Sequence, residues 1–107
     1  MFSRPSVPEV TVSELRGLLA ADPATPVVDV REPDEYAAGH VPTASPMPLQ
    51  TVPLRHDELP RDRTVYVVCA SGGRSGQAVG WLIAQGYDAV NVAGGTNDWV
   101  SAGYPVE

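Results

Sequence analysis

Two kinds of apolar pattern alternate along the 107-residue chain. Short, valine-rich runs are typical of buried strands, and three occur: PVVDV ending near Arg31, TVYVV over residues 64–68, and DAVNVA just before two glycines. Other stretches place an apolar residue every three or four positions, which is the spacing of a helix that buries one face. The pattern therefore predicts strands that alternate with helices.

Four helices follow from this spacing and from residues that favour helix ends. The first spans about residues 12–20, behind a capping-box pattern. A short helix begins at Pro33, because proline suits the first helical position. The longest runs from about residue 74 to Gly86, and a last short helix follows a cap at Thr96 or Asn97.

The segment VPTASPMPLQTVP over residues 41–53 interrupts this pattern with four prolines. Proline lacks the backbone donor and fixes one dihedral angle. We therefore expect the segment to be extended or turn-like rather than a regular element. A short helix is expected around residues 51–58.

Strands alternating with helices predict an α/β fold of three layers, with a mostly parallel central sheet flanked by helices. The length suits one domain, and we expect residues 1–107 to form it. Ligands of such sheets bind at the carboxyl ends of the strands. Cys69 and Asp29 both follow or end a predicted strand, so the site is expected there.

Composition narrows the classes of partner. The net charge is −6, with seven arginines and no lysine, which argues against nucleic acid and anionic membrane surfaces. One cysteine forms no internal disulfide, and two histidines distant from it in sequence suggest no metal site. We expect no cofactor, no membrane span and a cytoplasmic location.

The stretch VVCASGGRSGQ joins the strongest strand to the longest helix and contains the cysteine, Cys69. The glycines at 72 and 73 allow successive backbone N–H groups to turn inward. The helix N-terminus adds about half a positive charge, and Arg74 adds a full one. Such surroundings lower a cysteine pKa from about 8.5 to as little as about 3.5, so a reactive thiolate is predicted.

Two plainer interpretations compete with this one. Free cysteine is among the residues most often buried, so Cys69 could simply end a strand. The glycine-rich residues could form a slack turn. Neither explains why two glycines and an arginine follow the cysteine and lead directly into an apolar helix, and we favour the reactive thiol.

Three segments of the chain resemble the rhodanese-like domain family, whose members transfer sulfane sulfur through a cysteine persulfide. CASGGRS is similar to the family's active-site loop. VVDVREPDEYAAGHVP resembles its Asp-x-Arg segment and Gly-His-Ile/Val-Pro turn, and VAGGTNDWVSAGYPV resembles its closing Gly-Gly-x-x-x-Trp segment. The resemblance covers nearly the whole chain, with the three motifs in the family's order.

The resemblance implies a sulfurtransferase that moves sulfur from a small anionic donor such as thiosulfate to cyanide or a thiol, including a thiol on a protein. Cys69 would be the catalytic nucleophile. Residues of the following loop would bind the substrate: Ala70, Ser71, Gly72, Gly73, Arg74 and Ser75. Four residues separate the cysteine from the arginine, as in rhodanese-like loops, whereas related phosphatases have one more.

Further residues and functions are weighed beside this one. Asp29 and Arg31 are supporting residues, with a structural brace favoured over a direct role at the pocket. Thr43 stands where the family usually has glycine, which leaves the backbone of residues 43–48 unpredicted. The alternatives to sulfur transfer are a phosphatase or arsenate reductase using the same cysteine, and a non-catalytic persulfide carrier or binding module.

Overall fold

The computed structural model describes residues 6–107. It contains five strands: β1 Glu9–Val10, β2 Val27–Asp29, β3 Ser45–Pro46, β4 Val65–Val68 and β5 Ala89–Val92. Five α-helices connect them: α1 Val12–Ala21, α2 Pro33–Ala37, α3 Val52–Arg55, α4 Gly73–Ala84 and α5 Gly95–Ser101. Two 3-10 turns, Leu49–Thr51 and His56–Glu58, flank α3.

The five strands form one sheet in the order β1-β5-β4-β2-β3, and every neighbouring pair is parallel. β4 lies at the centre, with Val67 opposite Val28 of β2 on one side and opposite Asn91 of β5 on the other. The predicted α/β fold with a mostly parallel sheet is confirmed. The central strand is also the one that leads into the cysteine loop.

Alternate residues of the strands point to opposite faces of the sheet, and each face has its own apolar core. The first core includes Val28, Val67 and Leu82, and α4 packs over it. The second includes Val27, Val68, Leu15 of α1 and Trp99 of α5. The helices thus form layers on both sides of the sheet, as predicted. None of the helices within residues 6–107 is long and apolar enough to cross a membrane.

The capping pattern at the start of α1 forms as the sequence predicts. The backbone N–H of Glu14 donates to the Thr11 hydroxyl across 3.1 Å, and the N–H of Thr11 donates to the Glu14 carboxylate across 3.0 Å. Each bond satisfies a backbone donor that a helix N-terminus otherwise leaves free. The predicted bounds of α1 and α4 are within two residues of those observed.

Three predictions of secondary structure need correction. The proline-rich segment contains a strand after all, since β3 pairs two residues with the end of β2. The helix expected around residues 51–58 is a single α-turn between two 3-10 turns. The cap of α5 is Gly94 rather than Thr96 or Asn97, because a left-handed glycine lets the helix begin earlier.

Thr43 adopts a backbone conformation that favours glycine. Its φ is +69°, in the left-handed region that β-branched residues rarely occupy. The N–H of Thr43 donates to the Glu107 carboxylate across 3.0 Å, which holds the turn in place. The chain therefore reaches β3 in spite of the missing glycine.

Candidate functional site

Cys69 follows β4 at the carboxyl edge of the central strand, where a loop reverses the chain into α4. Gly72 ends this loop with a φ of +111°, a conformation that favours glycine. This turn directs the N–H of Gly72 back toward the cysteine. The first turn of α4 follows at once, with its free N–H groups and the positive end of the helix dipole.

The sulfur of Cys69 lies among hydrogen-bond donors. The N–H of Gly72 donates to Sγ across 3.1 Å, and the hydroxyl oxygen of Ser75 lies 3.2 Å from the same sulfur. Cys69 itself is only 1% exposed. Burial alone would suit a structural cysteine, but a structural cysteine has no need of polar hydrogens aimed at its sulfur. The geometry therefore favours the reactive interpretation.

The donors change the acidity of the thiol. Burial raises the pKa of Cys69, because it penalises the charged form. The Ser75 hydroxyl and the backbone amides of Ser75, Gly72 and Ser71 favour the thiolate and outweigh that effect. The pKa of Cys69 is consequently held below the ordinary value of a cysteine.

Arg74 does not stand free beside the loop. Its guanidinium donates two hydrogen bonds to the carboxylate of Glu35 on α2, across 2.7 and 2.9 Å. These bonds lower the pKa of Glu35 to about 2 and raise that of Arg74. The arginine's fork of donors is thus occupied by a side chain of the same chain.

A chain of side-chain hydrogen bonds leads from Cys69 to the edge of the sheet. The Ser75 hydroxyl oxygen lies 2.6 Å from Oδ1 of Asn91 on β5. Nδ2 of Asn91 donates to the carboxylate of Glu9 across 3.0 Å and to the carbonyl of Gly72 across 3.2 Å. Ser75 and Asn91 are both buried, so these partners satisfy polar groups that water does not reach.

The N-terminus of α5 holds the first residues of the loop. The N–H of Thr96 donates to the Cys69 carbonyl across 2.8 Å, and the N–H of Asn97 donates to the Ala70 carbonyl across 3.0 Å. Gly95 makes this approach feasible, since a Cβ there would lie 2.3 Å from the Cys69 carbonyl oxygen. Gly95, the first residue of α5, therefore belongs to the construction of the site.

Asp29 and Arg31 form a buried brace beside the site. The Arg31 guanidinium donates to both oxygens of the Asp29 carboxylate, with the shortest bond 2.8 Å, and to the Gly39 carbonyl across 2.9 Å. The pair ties the end of β2 to the turn after α2. This arrangement fits the structural role favoured from the sequence, with the charge of the arginine compensated by its partner.

The remaining loop residues lie at the surface or close to it. Ser71 and Gly73 are exposed, and Ala70 is partly exposed. On the side of the loop nearest β1, Gly72 and Gly73 border a groove of about 720 Å³ that Asn91 and Trp81 also line. Within residues 6–107, no cluster of three or more histidine, cysteine or acidic side chains is placed to hold a metal ion.

Three residues of the site were missed from the sequence: Glu35 and Asn91, which contact the loop, and Glu9, which contacts Asn91. Asn91 carried a usable signal, because it is a polar residue inside the apolar run DAVNVA. A buried polar side chain in a strand needs partners, and a nearby loop is a natural source of them. Glu35 and Glu9 carried no such signal, since exposed glutamates are common on helices and edge strands.

Comparison with known proteins agrees with this geometry. The family model of the rhodanese-like domain matches residues 11–102. A sulfurtransferase of Allochromatium vinosum is 40% identical, and the alignment covers 94% of each chain. A putative sulfur carrier protein of Bacillus subtilis is 35% identical over 88% of this chain, which spans 51% of that protein.

A solved structure shows the same fold. The rhodanese-related protein of Thermoplasma volcanium superposes with a TM-score of 0.87 at 33% identity, over 94% of this chain and 98% of the other. The match of the family model reaches from the start of α1 to the end of α5 and includes the cysteine loop. This chain belongs to the rhodanese-like domain family.

Proposed function

We propose that this chain is a sulfurtransferase of one domain, residues 1–107, that carries sulfane sulfur as a persulfide on Cys69. One observation carries the proposal: the sulfur of the chain's single cysteine accepts a backbone hydrogen bond from Gly72 and lies beside the Ser75 hydroxyl at a helix N-terminus. Relatives named sulfurtransferase and putative sulfur carrier support a sulfur-transfer role.

The first half-reaction loads the sulfur. The Cys69 thiolate attacks the outer sulfur of thiosulfate, and a new S–S bond forms at Sγ. The bond between the two sulfurs of thiosulfate breaks, and sulfite leaves with its electron pair. The cysteine now carries a persulfide anion, so charge and atoms balance without an oxidant or a general base.

The second half-reaction transfers the outer sulfur of the persulfide to an acceptor. Cyanide or an acceptor thiolate attacks the outer persulfide sulfur, and the S–S bond breaks toward Sγ. Thiocyanate or the acceptor's persulfide leaves, and the Cys69 thiolate is restored. Free N–H groups at the start of α4 would stabilise the anion at the outer sulfur, as an oxyanion hole stabilises oxygen.

The roles of the loop residues follow from their positions. Gly72 and Ser75 contact the sulfur of Cys69. The backbone of Ala70, Ser71 and Gly73 would surround the outer sulfur of the persulfide. The guanidinium of Arg74 already donates to the Glu35 carboxylate, so an anionic sulfur donor must compete with Glu35 for it. Donors with less negative charge, such as a thiol persulfide, avoid that competition.

A single cysteine suits a reducing compartment, and we propose a cytoplasmic location.

The test is thiocyanate production from thiosulfate and cyanide. Cys69→Ser removes the nucleophile, and we expect the rate to fall at least about a thousandfold. The matched control adds Ser101→Cys to that variant, which returns a thiol on the exposed end of α5 but outside the loop. The double variant should stay inactive.

Activity that survives Cys69→Ser would overturn the mechanism. Hydrolysis of an aryl phosphate by the wild type, with no sulfur transfer, would instead favour a phosphatase. If Cys69 gains a sulfur atom but no thiocyanate is produced, the chain would be a persulfide carrier. The Bacillus subtilis relative is named a putative sulfur carrier protein.

A further inference from the structure

The orientation of the Asn91 side chain is fixed by its neighbours. Its nitrogen faces the Glu9 carboxylate and the Gly72 carbonyl, which only accept hydrogen bonds. The amide oxygen must therefore face the Ser75 hydroxyl, 2.6 Å away. Glu9 and Asn91 are direct partners in the register of β1 and β5, so the sheet itself holds this arrangement.

The Ser75 hydroxyl has two neighbours and one proton. Its oxygen lies 2.6 Å from Oδ1 of Asn91 and 3.2 Å from Sγ of Cys69. A carbonyl oxygen only accepts, so while the proton points to Asn91, the hydroxyl oxygen offers a lone pair to the cysteine. That arrangement suits a thiol, which donates its own proton. A thiolate needs the opposite, a hydroxyl that donates to sulfur.

We propose that Asn91 is a positioning residue for sulfur transfer. While Cys69 is a thiol, the Ser75 hydroxyl donates its hydrogen bond to Asn91. When Cys69 is a thiolate, the hydroxyl turns and donates to the sulfur instead. The proposal rests on the sulfur-transfer function proposed above. When a persulfide forms, the charge moves to the outer sulfur and Sγ becomes a weak acceptor. The hydroxyl proton then returns to Asn91.

Asn91 consequently destabilises the thiolate form of Cys69, but not its thiol or persulfide form. Ionising Cys69 costs the buried amide oxygen its hydrogen-bond partner, which is unfavourable where water does not reach. The thiolate is left more reactive, and loading it with sulfur restores the bond.

Several charged groups also lie on elements packed around Cys69: Arg74 on α4, Glu35 on α2, Glu9 on β1, Asp98 on α5, and the Asp29 and Arg31 pair at the end of β2.

The experiment is a pH titration of the thiolate by its ultraviolet absorbance. The difference between a protein with Cys69 and its Cys69→Ser counterpart reports Cys69, because the chain has one cysteine. Asn91→Leu keeps the side chain's approximate size and removes the acceptor. We expect its titration midpoint to move to lower pH, with the thiolate fraction below the midpoint rising about fivefold. Cys69→Ser supplies the baseline. Gln85→Leu is the matched control with no change expected, because Gln85 is exposed and lies at the end of α4 that is remote from the loop.

A double-mutant cycle separates this role from a merely structural one. Asn91 also donates to the Gly72 carbonyl, so its loss could disturb the loop directly. In a Ser75→Ala background the hydroxyl that donates to Asn91 is absent. Asn91→Leu should then no longer move the titration midpoint of Cys69. Asn91→Ala repeats the cycle should the leucine variant fail to fold, as judged by circular dichroism.

Two outcomes would overturn the proposal: an unchanged or raised midpoint in a folded Asn91 variant, or a shift that persists in full without the Ser75 hydroxyl. The titration uses no sulfur donor. Its result therefore stands apart from the transfer assay, and failure of one does not imply failure of the other.

Discussion

At the scale of single residues, Gly95 shows how the site depends on close packing of backbone. It has a φ of +57°, and a Cβ there would lie 2.3 Å from the Cys69 carbonyl oxygen and 2.6 Å from that of Ala70. No side chain fits at those distances without moving the loop. The glycine therefore sets how closely α5 approaches the cysteine loop.

Gly95→Ala should consequently destabilise the fold by at least about 2 kcal/mol, and it should displace the cysteine. Gly103→Ala is the matched control, since Gly103 has a φ of +77° but open space around its missing Cβ. Its cost should be that of left-handed backbone alone, about 1 kcal/mol. Urea unfolding measures both, and equal losses would contradict the steric argument.

The individual residues of the site differ in how far the sequence reveals them. Cys69 was predictable because strand, cysteine, glycines and helix follow one another within eleven residues, so local geometry determines the loop. The pairing of Arg74 with Glu35 joins residues 39 positions apart, and no local pattern indicates it. Asn91 lies 16 positions from Ser75, and only its polarity within an apolar strand gave a hint.

At the scale of elements, the pair of Arg74 and Glu35 joins the start of α4 to α2 across the site. The side chains are 35% and 32% exposed, so solvent screens the pair and limits its contribution to stability to about 1 kcal/mol or less. The pair fixes the guanidinium beside the loop more than it stabilises the fold.

Glu35→Gln should reveal this pair through its pH dependence. The pKa of Glu35 is about 2 in the folded chain against an ordinary 4.5. A lowered pKa stabilises the fold above the ordinary value, and that contribution is lost as pH falls from about 4.5 toward about 2. The difference in unfolding free energy between wild type and Glu35→Gln should therefore shrink over that range, as measured by urea unfolding.

Glu58→Gln is the matched control, because Glu58 pairs with Arg55 at the surface, outside the site. Its side chain is 56% exposed, so a smaller difference is expected. A gap between wild type and Glu35→Gln that stays constant from neutral pH to pH values near the lowered pKa would contradict the argument.

Among the elements themselves, those with strong periodicity were predicted and those of two residues were not. β2, β4 and β5 are apolar runs buried on both faces, and α1 and α4 have a full apolar stripe. β1 and β3 comprise two residues each, too few for any periodicity. β3 also contains Pro46, which is compatible with its place at the edge of the sheet but argues against a strand in sequence alone.

At the scale of the whole molecule, a net charge of −6 surrounds a loop that stabilises an anion. The global charge opposes the approach of anionic donors, whereas the local amides and helix N-terminus favour the bound sulfur anion. The two act at different distances, since solvent ions screen the first beyond about 8–10 Å and the second acts by contact. The fold therefore provides a site for a sulfur anion within a surface that discourages nonspecific anions.

The proposed persulfide on Cys69 is the most direct object of measurement. Intact-mass spectrometry of wild type and Cys69→Ser after exposure to thiosulfate, polysulfide and glutathione persulfide would detect it. We predict that the wild type gains the mass of one sulfur atom with at least one donor, that cyanide removes it as thiocyanate, and that the serine variant gains nothing. A wild-type chain that gains no sulfur from any of these donors, while its cysteine still reacts with iodoacetamide, would contradict the account.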